Sequence, residues 1–101
     1  MNANTLEIAS ILSEIETYQD LTIDQVRPVG ATLTIEFIKR DGSIRLLTVD
    51  NVDGLPFLEI KDNNNVLVQE NDAFRMFDLT MVTELQFDNQ VYTNDDLKEV
   101  K

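Results

Sequence analysis

The chain contains no cysteine, no histidine and no tryptophan, and it has only three glycines and two prolines among 101 residues. The lack of cysteine excludes disulfides and thiolate chemistry, and the lack of histidine removes the commonest general base and the commonest transition-metal ligand. The serines have no histidine to activate them, and the sequence spacing brings no pair of carboxylates together. We therefore predict no catalytic, cofactor-binding or metal-binding residues, and a protein that is not an enzyme.

Basic residues are also scarce, since eight lysines and arginines stand against nineteen acidic side chains and give a formal charge of −11. A field of one sign repels phosphate backbones and anionic membranes, so we expect no direct binding to nucleic acid and no membrane association. No apolar run approaches the roughly 20 residues of a membrane span. Residues 1–10 lack the layout of a signal peptide, which predicts a cytoplasmic protein.

The length predicts one domain over residues 1–101. Asn4 or Thr5 can cap a helix, and apolar side chains then recur at helical spacing. These side chains are Ile8, Ile11, Leu12, Ile15 and Tyr18. The pattern predicts a helix over residues 5–18 whose apolar stripe covers a sheet.

The clearest hairpin signal is the pair Asp41 and Gly42, which joins two alternating apolar runs. If these two residues are the centre of a type I′ turn, Phe37 faces Leu46 across the ladder and the two form a core pair. Both central positions then need positive φ. The assignment therefore predicts that Gly42 tolerates a β-branched residue less well than Gly54.

The same register leaves a second side of the hairpin that is half apolar. Ile38, Leu47 and Val49 lie there among polar residues, which makes them candidate protein-interface residues. A second copy of the chain or a partner protein can cover this side. The helix or the curled end of the same sheet is the alternative cover.

Turn signals divide the rest of the chain into short strands. We predict turns at residues 50–56, 62–65, 71–72 and 88–89, strands near 57–61, 66–70, 74–78, 82–87 and 90–93, and a corner at 79–81. The predicted fold class is mainly β (α+β), with the N-terminal helix followed by a strongly curved antiparallel sheet or a small barrel of five to seven short strands over residues 21–93. Residues 94–101 are predicted to form an acidic, mobile tail.

Two segments carry a family resemblance. These are FIKRDGSIRLLTV at Phe37–Val49 and VLVQENDAFRMFDLTMVTELQF at Val66–Phe87. The residues that carry it are Lys39, Asp41, Gly42, Ser43 and Arg45 in the first segment, and Arg75, Phe77, Asp78 and Val82 in the second. The pattern resembles the WYL-like Sm-type small-barrel proteins of phages and bacteria. The resemblance implies an Sm-like or SH3-like barrel, and for a protein of this origin the cytoplasm expected above is that of the producing bacterium or of an infected host cell.

Arg45 and Arg75 lie on separate predicted strands of an otherwise acidic protein. The resemblance implies that they converge into a small-anion site. The simpler interpretation, which we favour, is that each pairs with a neighbouring carboxylate on the sheet surface. Asp62, Asn64 and Glu70 suggest calcium only superficially, because the stretch lacks the glycine and the acidic spacing of a calcium loop.

Four classes of function remain, in decreasing order of support. The first is a non-catalytic binding or regulatory module of phage or bacterial origin that contacts a host protein, another protein of its own cell, or a second copy of itself as a homodimer. The second is an acidic DNA mimic that inhibits a DNA-binding protein. A small-anion sensor is less favoured, and an enzyme is the weakest hypothesis.

Overall fold

Two helices and nine short strands occur within residues 3–21 and 25–98, which are the residues that this computed structural model describes. Their bounds in chain order are α1 Ala3–Tyr18, β1 Leu33–Ile38, β2 Ile44–Val49, β3 Asn51–Val52, β4 Leu55–Pro56, β5 Leu58–Ile60, β6 Asn65–Glu70, β7 Ala73–Asp78, β8 Val82–Phe87, β9 Gln90–Thr93 and α2 Asp95–Lys98. Short 3₁₀ turns at Asp62–Asn64 and Leu79–Met81 precede β6 and β8. No helix in the described ranges is long and apolar enough to cross a membrane.

The strands pair in three antiparallel sheets within the described part of the chain. One has the order β2-β1-β8-β9, a second has the order β5-β6-β7, and β3 and β4 form a separate hairpin. The predicted α+β class with antiparallel sheets is confirmed, and β8 and β9 lie where the sequence predicts them. The β3–β4 hairpin falls in a stretch predicted to be turns, which raises the strand number above the predicted five to seven.

Helix α1 buries the side of its surface that the sequence predicts. Ile8, Leu12 and Ile15 are buried, and the partly buried Ile11 and Tyr18 pack against the same core. Within the described residues α1 begins at Ala3, two residues before the predicted start, so that Asn4 and Thr5 lie inside the helix and do not cap it as predicted.

Consecutive residues with positive φ, which a type I′ turn requires, occur at four hairpins within the described residues, but not at the one predicted. These pairs are Asp53 and Gly54, Asn63 and Asn64, Asn71 and Asp72, and Asp88 and Asn89. At the predicted position Gly42 has a φ of +88°, whereas Asp41 is not among the residues with positive φ. The type I′ assignment at Asp41 and Gly42 is therefore wrong.

The β1–β2 loop spans residues 39–43 because local hydrogen bonds close it. The Lys39 N–H donates to Ser43 O at 2.7 Å, and the Gly42 N–H donates to Lys39 O at 2.9 Å. The Asp41 carboxylate accepts from the Ser43 N–H at 2.9 Å and from the Ser43 hydroxyl at 2.5 Å. Such a side-chain bond to the backbone two residues later competes with the tighter turn that the sequence predicts.

This longer loop shifts the strand register by one residue from the prediction. Phe37 pairs with Arg45, and Leu47 pairs with Ile35. The side chain of Leu46 is exposed, so the predicted core pair of Phe37 and Leu46 is wrong. Because side chains alternate along a strand, the one-residue shift exchanges the two sides of β2.

The two larger sheets face each other across a common core. Phe37 on β1 stacks on Phe77 on β7, with 5.4 Å between the ring centroids. Asp50 joins the sheets, because its N–H donates to Gln69 O at 2.7 Å and its carboxylate accepts from the N–H groups of Asn71 and Asp72 at 3.1 and 3.0 Å. These bonds hold the end of β2 against the β6–β7 turn.

The start of the predicted mobile tail is anchored to the domain. Asn94 is buried, its N–H donates to Thr83 O at 2.8 Å, and its Nδ2 donates to the Thr5 hydroxyl at 2.9 Å. Its Oδ1 accepts no hydrogen bond within the described part of the chain, so the side chain does not cap α2. Residues 99–101 of the predicted tail lie outside the described ranges.

Candidate functional site

The three candidate interface residues do not share a surface. Leu47 and Val49 are buried in the core between the sheets, whereas Ile38 is half-buried on the opposite side of the sheet, paired with Ile44. Placing Leu47 and Val49 on an exposed side was wrong, because the register is shifted by one residue. Ile38 alone remains accessible, and its exposed neighbours are Ile44 and Leu46.

The two candidate anion-binding arginines converge on a carboxylate of the chain itself. The Arg45 guanidinium is hydrogen-bonded to Glu70 Oε1, and Arg75 Nε lies 3.9 Å from the same oxygen. Glu70 Oε2 accepts from the Thr48 N–H at 3.2 Å, and the Glu70 side chain is only 14% exposed. A partly buried carboxylate held by a guanidinium and a backbone N–H is a strong charge-assisted arrangement. The site between the arginines is therefore filled by Glu70.

A groove of about 670 Å³ opens beside this ion pair, between the β1–β2 loop and β7. Its apolar lining includes the stacked rings of Phe37 and Phe77 together with Met76 and Met81. Its cationic lining consists of Lys39, Arg40 and Arg45. Because Arg45 is paired with Glu70, an open groove that combines apolar side chains with the cations of Lys39 and Arg40 can hold a ligand that carries both an apolar group and negative charge.

Acidic groups near this groove are engaged by the chain. Asp78 also lines it, but its Oδ1 accepts from the Thr80 N–H at 2.8 Å and from the Thr80 hydroxyl at 2.7 Å. On the loop, the hydrogen bond from the Ser43 side chain lowers the pKa of Asp41 below its ordinary value, and the Ser43 N–H and the charge of Lys39 lower it further. Both carboxylates therefore have local partners that hold them in place.

An apolar surface continues from the groove over the outer side of β6 and β7. Phe74 is 60% exposed and Met76 is 53% exposed on β7, and Leu67 pairs with Met76 on β6. The Phe57 ring meets the Phe74 ring edge-on, with 6.1 Å between centroids. We call the surface formed by Phe57, Leu67, Phe74 and Met76 the β7 apolar face.

Alternation along the strand places Phe74 and Met76 together on one side, with Arg75 and Phe77 on the other. Because Phe77 is equally apolar, alternation alone does not tell which side is buried. Only the packing of Phe77 against Phe37 decides that Phe74 and Met76 point outward.

Comparison of the chain with protein-family models, with curated proteins and with solved structures finds no match. The resemblance to the WYL-like Sm-type barrels therefore stays a prediction from the sequence.

Proposed function

We propose that this protein is a non-catalytic binding module that acts through contacts with another protein. The observation that carries the proposal is the β7 apolar face, where an aromatic ring and a methionine are more than half exposed on neighbouring outward positions of one strand. Aromatic residues and methionine are enriched in the centres of protein interfaces. A contiguous exposed apolar surface beside polar residues is also typical of an interaction site.

We further propose that the two larger sheets together form a small Sm-like or SH3-like barrel of the kind found in phage and bacterial proteins. In support, β8 pairs with β1, and Asp50 links the end of β2 to β6 through its N–H. The Phe57 N–H donates to Asp50 O at 3.1 Å, so the residues before and after the β3–β4 hairpin lie side by side. Such a scaffold holds the β7 apolar face on a rigid strand, in the cytoplasm of the bacterium or of an infected host.

The charge of the chain favours a different protein over a second copy as the partner. Two copies each carry a formal charge of −11, and their long-range repulsion opposes association except at high ionic strength. A homodimer, if it forms, is detected by sedimentation. A dimer that dissociates when the β7 apolar face is made polar would contradict the choice of a foreign partner.

Affinity capture from a bacterial lysate tests the proposal, with the double variant Phe74→Ser plus Met76→Ser compared with the wild type. Both side chains are exposed, so we expect the variant to fold and to lose the captured protein. The control is Ile44→Ser plus Leu46→Ser, which removes two equally exposed apolar side chains from β2. Capture that survives in the β7 variant, or is lost equally in both variants, would contradict the proposal.

The salt dependence of capture separates this function from DNA mimicry, which is supported by the net charge alone. A DNA mimic is expected to capture basic DNA-binding proteins and to lose them steeply between about 50 and about 200 mM salt. Contact through the β7 apolar face is expected to change little over that range. Steep salt dependence together with indifference to Phe74 and Met76 would favour the mimic.

A further inference from the structure

The groove between the β1–β2 loop and β7 concentrates positive charge in a strongly acidic protein. Lys39, Arg40 and Arg45 line it, which is three of the eight basic residues of the chain. Lys39 and Arg40 are exposed, and neither takes part in an ion pair shorter than 4 Å within residues 3–21 and 25–98. Asp78 also lines the groove and the charge of Lys39 acts on Asp41, but neither carboxylate forms a direct ion pair with Lys39 or Arg40, which can therefore still bind a carboxylate of a ligand.

Apolar contact surface lies directly beside these cations. Phe37 and Phe77 form a stacked pair at the buried side of the groove, and Met76 and Met81 reach its exposed side. Methionine side chains adapt to ligands of different shape because they are unbranched and polarisable. A groove of about 670 Å³ is within the size range, roughly 300 to 1,000 Å³, in which proteins bind ligands the size of a few side chains.

We propose that this groove binds an acidic segment of the partner protein, in which carboxylates flank a large apolar side chain. The apolar side chain packs between Met76 and Met81, and the carboxylates bind Lys39 and Arg40. This inference rests on the proposed function, since it names the chemistry of the partner that the β7 apolar face contacts. Met76 belongs to both surfaces and makes them continuous.

The neighbouring Glu70 shows that a carboxylate is accommodated at this end of the sheet. Arg45, which lines the groove, holds Glu70 with the help of the Thr48 N–H and Arg75. Because Glu70 satisfies Arg45, the cations left for a partner are Lys39 and Arg40. Lys39 and Arg40 attract an acidic segment, whereas the acidic remainder of the protein surface repels it. This contrast fixes the orientation of the segment in the groove.

Selection from a random peptide library tests the proposal, with the wild-type protein immobilised. We expect the enriched peptides to be net negative and to share a leucine, phenylalanine or other large apolar residue. Arg40→Glu and Lys39→Glu are each expected to weaken binding of an enriched peptide about tenfold, equivalent to about 1.4 kcal/mol. Lys61→Glu is the matched control, because it changes the net charge equally at an exposed lysine paired with Glu59 away from the groove lining.

Three results of the peptide experiments would overturn the proposal. The first is enrichment of neutral or basic peptides, or of none. The second is equal weakening by Arg40→Glu and Lys61→Glu, which would show a general charge effect. The third is displacement of the peptide by millimolar inorganic phosphate with no dependence on its apolar residue, which would show a small-anion site. If Arg40→Glu leaves lysate capture through Phe74 and Met76 unchanged, this inference fails while the proposed function stands.

Discussion

Neighbouring leucines on β2 provide a direct test of the strand register. Leu47 is 0% exposed in the core, whereas Leu46 is 61% exposed on the other side of the same strand. Truncating each to alanine removes the same atoms from adjacent positions with the same strand propensity. Any large difference between Leu47→Ala and Leu46→Ala therefore reports which side of β2 faces the core.

The expected difference is large on the scale of domain stability. Truncation of a fully buried leucine costs about 2 to 5 kcal/mol, because it removes apolar burial and leaves a cavity. Truncation of a mostly exposed leucine is expected to cost less than about 0.5 kcal/mol. A domain of this size has a total stability of roughly 5 to 15 kcal/mol, so the Leu47 variant is expected to fold but to be much weakened.

Urea unfolding followed by far-ultraviolet circular dichroism measures this difference, since the chain has no tryptophan to report by fluorescence. With a slope of about 1.5 kcal/mol per molar urea, a loss of about 3 kcal/mol lowers the midpoint by about 2 M. The Leu46→Ala midpoint is expected to stay within about 0.3 M of wild type by the same conversion. A larger fall for Leu46→Ala than for Leu47→Ala would refute the register and restore the pairing of Phe37 with Leu46.

Two further expectations concern the turns. Gly54→Ala is expected to lower the thermal midpoint more than Gly42→Ala, which reverses the order of sensitivity predicted from the sequence. Both glycines have positive φ, but a Cβ at Gly54 would lie 2.8 Å from Val29 Cγ1, whereas a Cβ at Gly42 would meet open space. Equal midpoints for the two variants would contradict this expectation. Ser43→Ala is expected to raise the pKa of Asp41 in a carboxyl-detected NMR titration, because it removes the largest cause of the lowering. A lowered carboxyl pKa contributes stability that is present above the unfolded-state pKa and lost as the pH falls through the folded-state value, so Ser43→Ala moves this loss to higher pH. An unchanged Asp41 titration would show that the hydroxyl does not bind the carboxylate.

The sequence predicted those elements whose periodicity and turn chemistry agree. Residues 82–87 alternate clearly and end at Asp88 and Asn89, so that β8, its turn and β9 were placed at their observed bounds. The helix was found for the same reason, since its buried residues recur with one helical period. Hydrophobic periodicity and turn residues were enough to predict these elements, because each stretch fits only one type of secondary structure.

The β1–β2 register was missed because both sides of β2 are apolar. Ile44 and Leu46 alternate with Leu47 and Val49, so periodicity does not select a side and the loop length decides the register. The Ser43 N–H and hydroxyl donate hydrogen bonds to the Asp41 carboxylate and help to close a five-residue loop, which a dipeptide rule does not anticipate.

The candidate site could be predicted only in part. The sequence suggested that Arg45 and Arg75 lie close together, and they do. Glu70 lies between them, because the end of β6 is held next to β2. The groove joins the β1–β2 loop to β7 across the two sheets. Its residues are far apart in the sequence, and no local pattern brings Arg40 next to Met76.

Amide hydrogen exchange of the protein alone and in complex with the captured partner tests the central claim most directly. If the protein is a binding module that uses the β7 apolar face and the adjoining groove, exchange is expected to slow in β7, Ala73–Asp78, and in residues 38–45. Strand β9, Gln90–Thr93, lies at the far edge of the other sheet and is expected to exchange at its unbound rate. Protection confined to β9 or to α1, with β7 unchanged, would contradict the account.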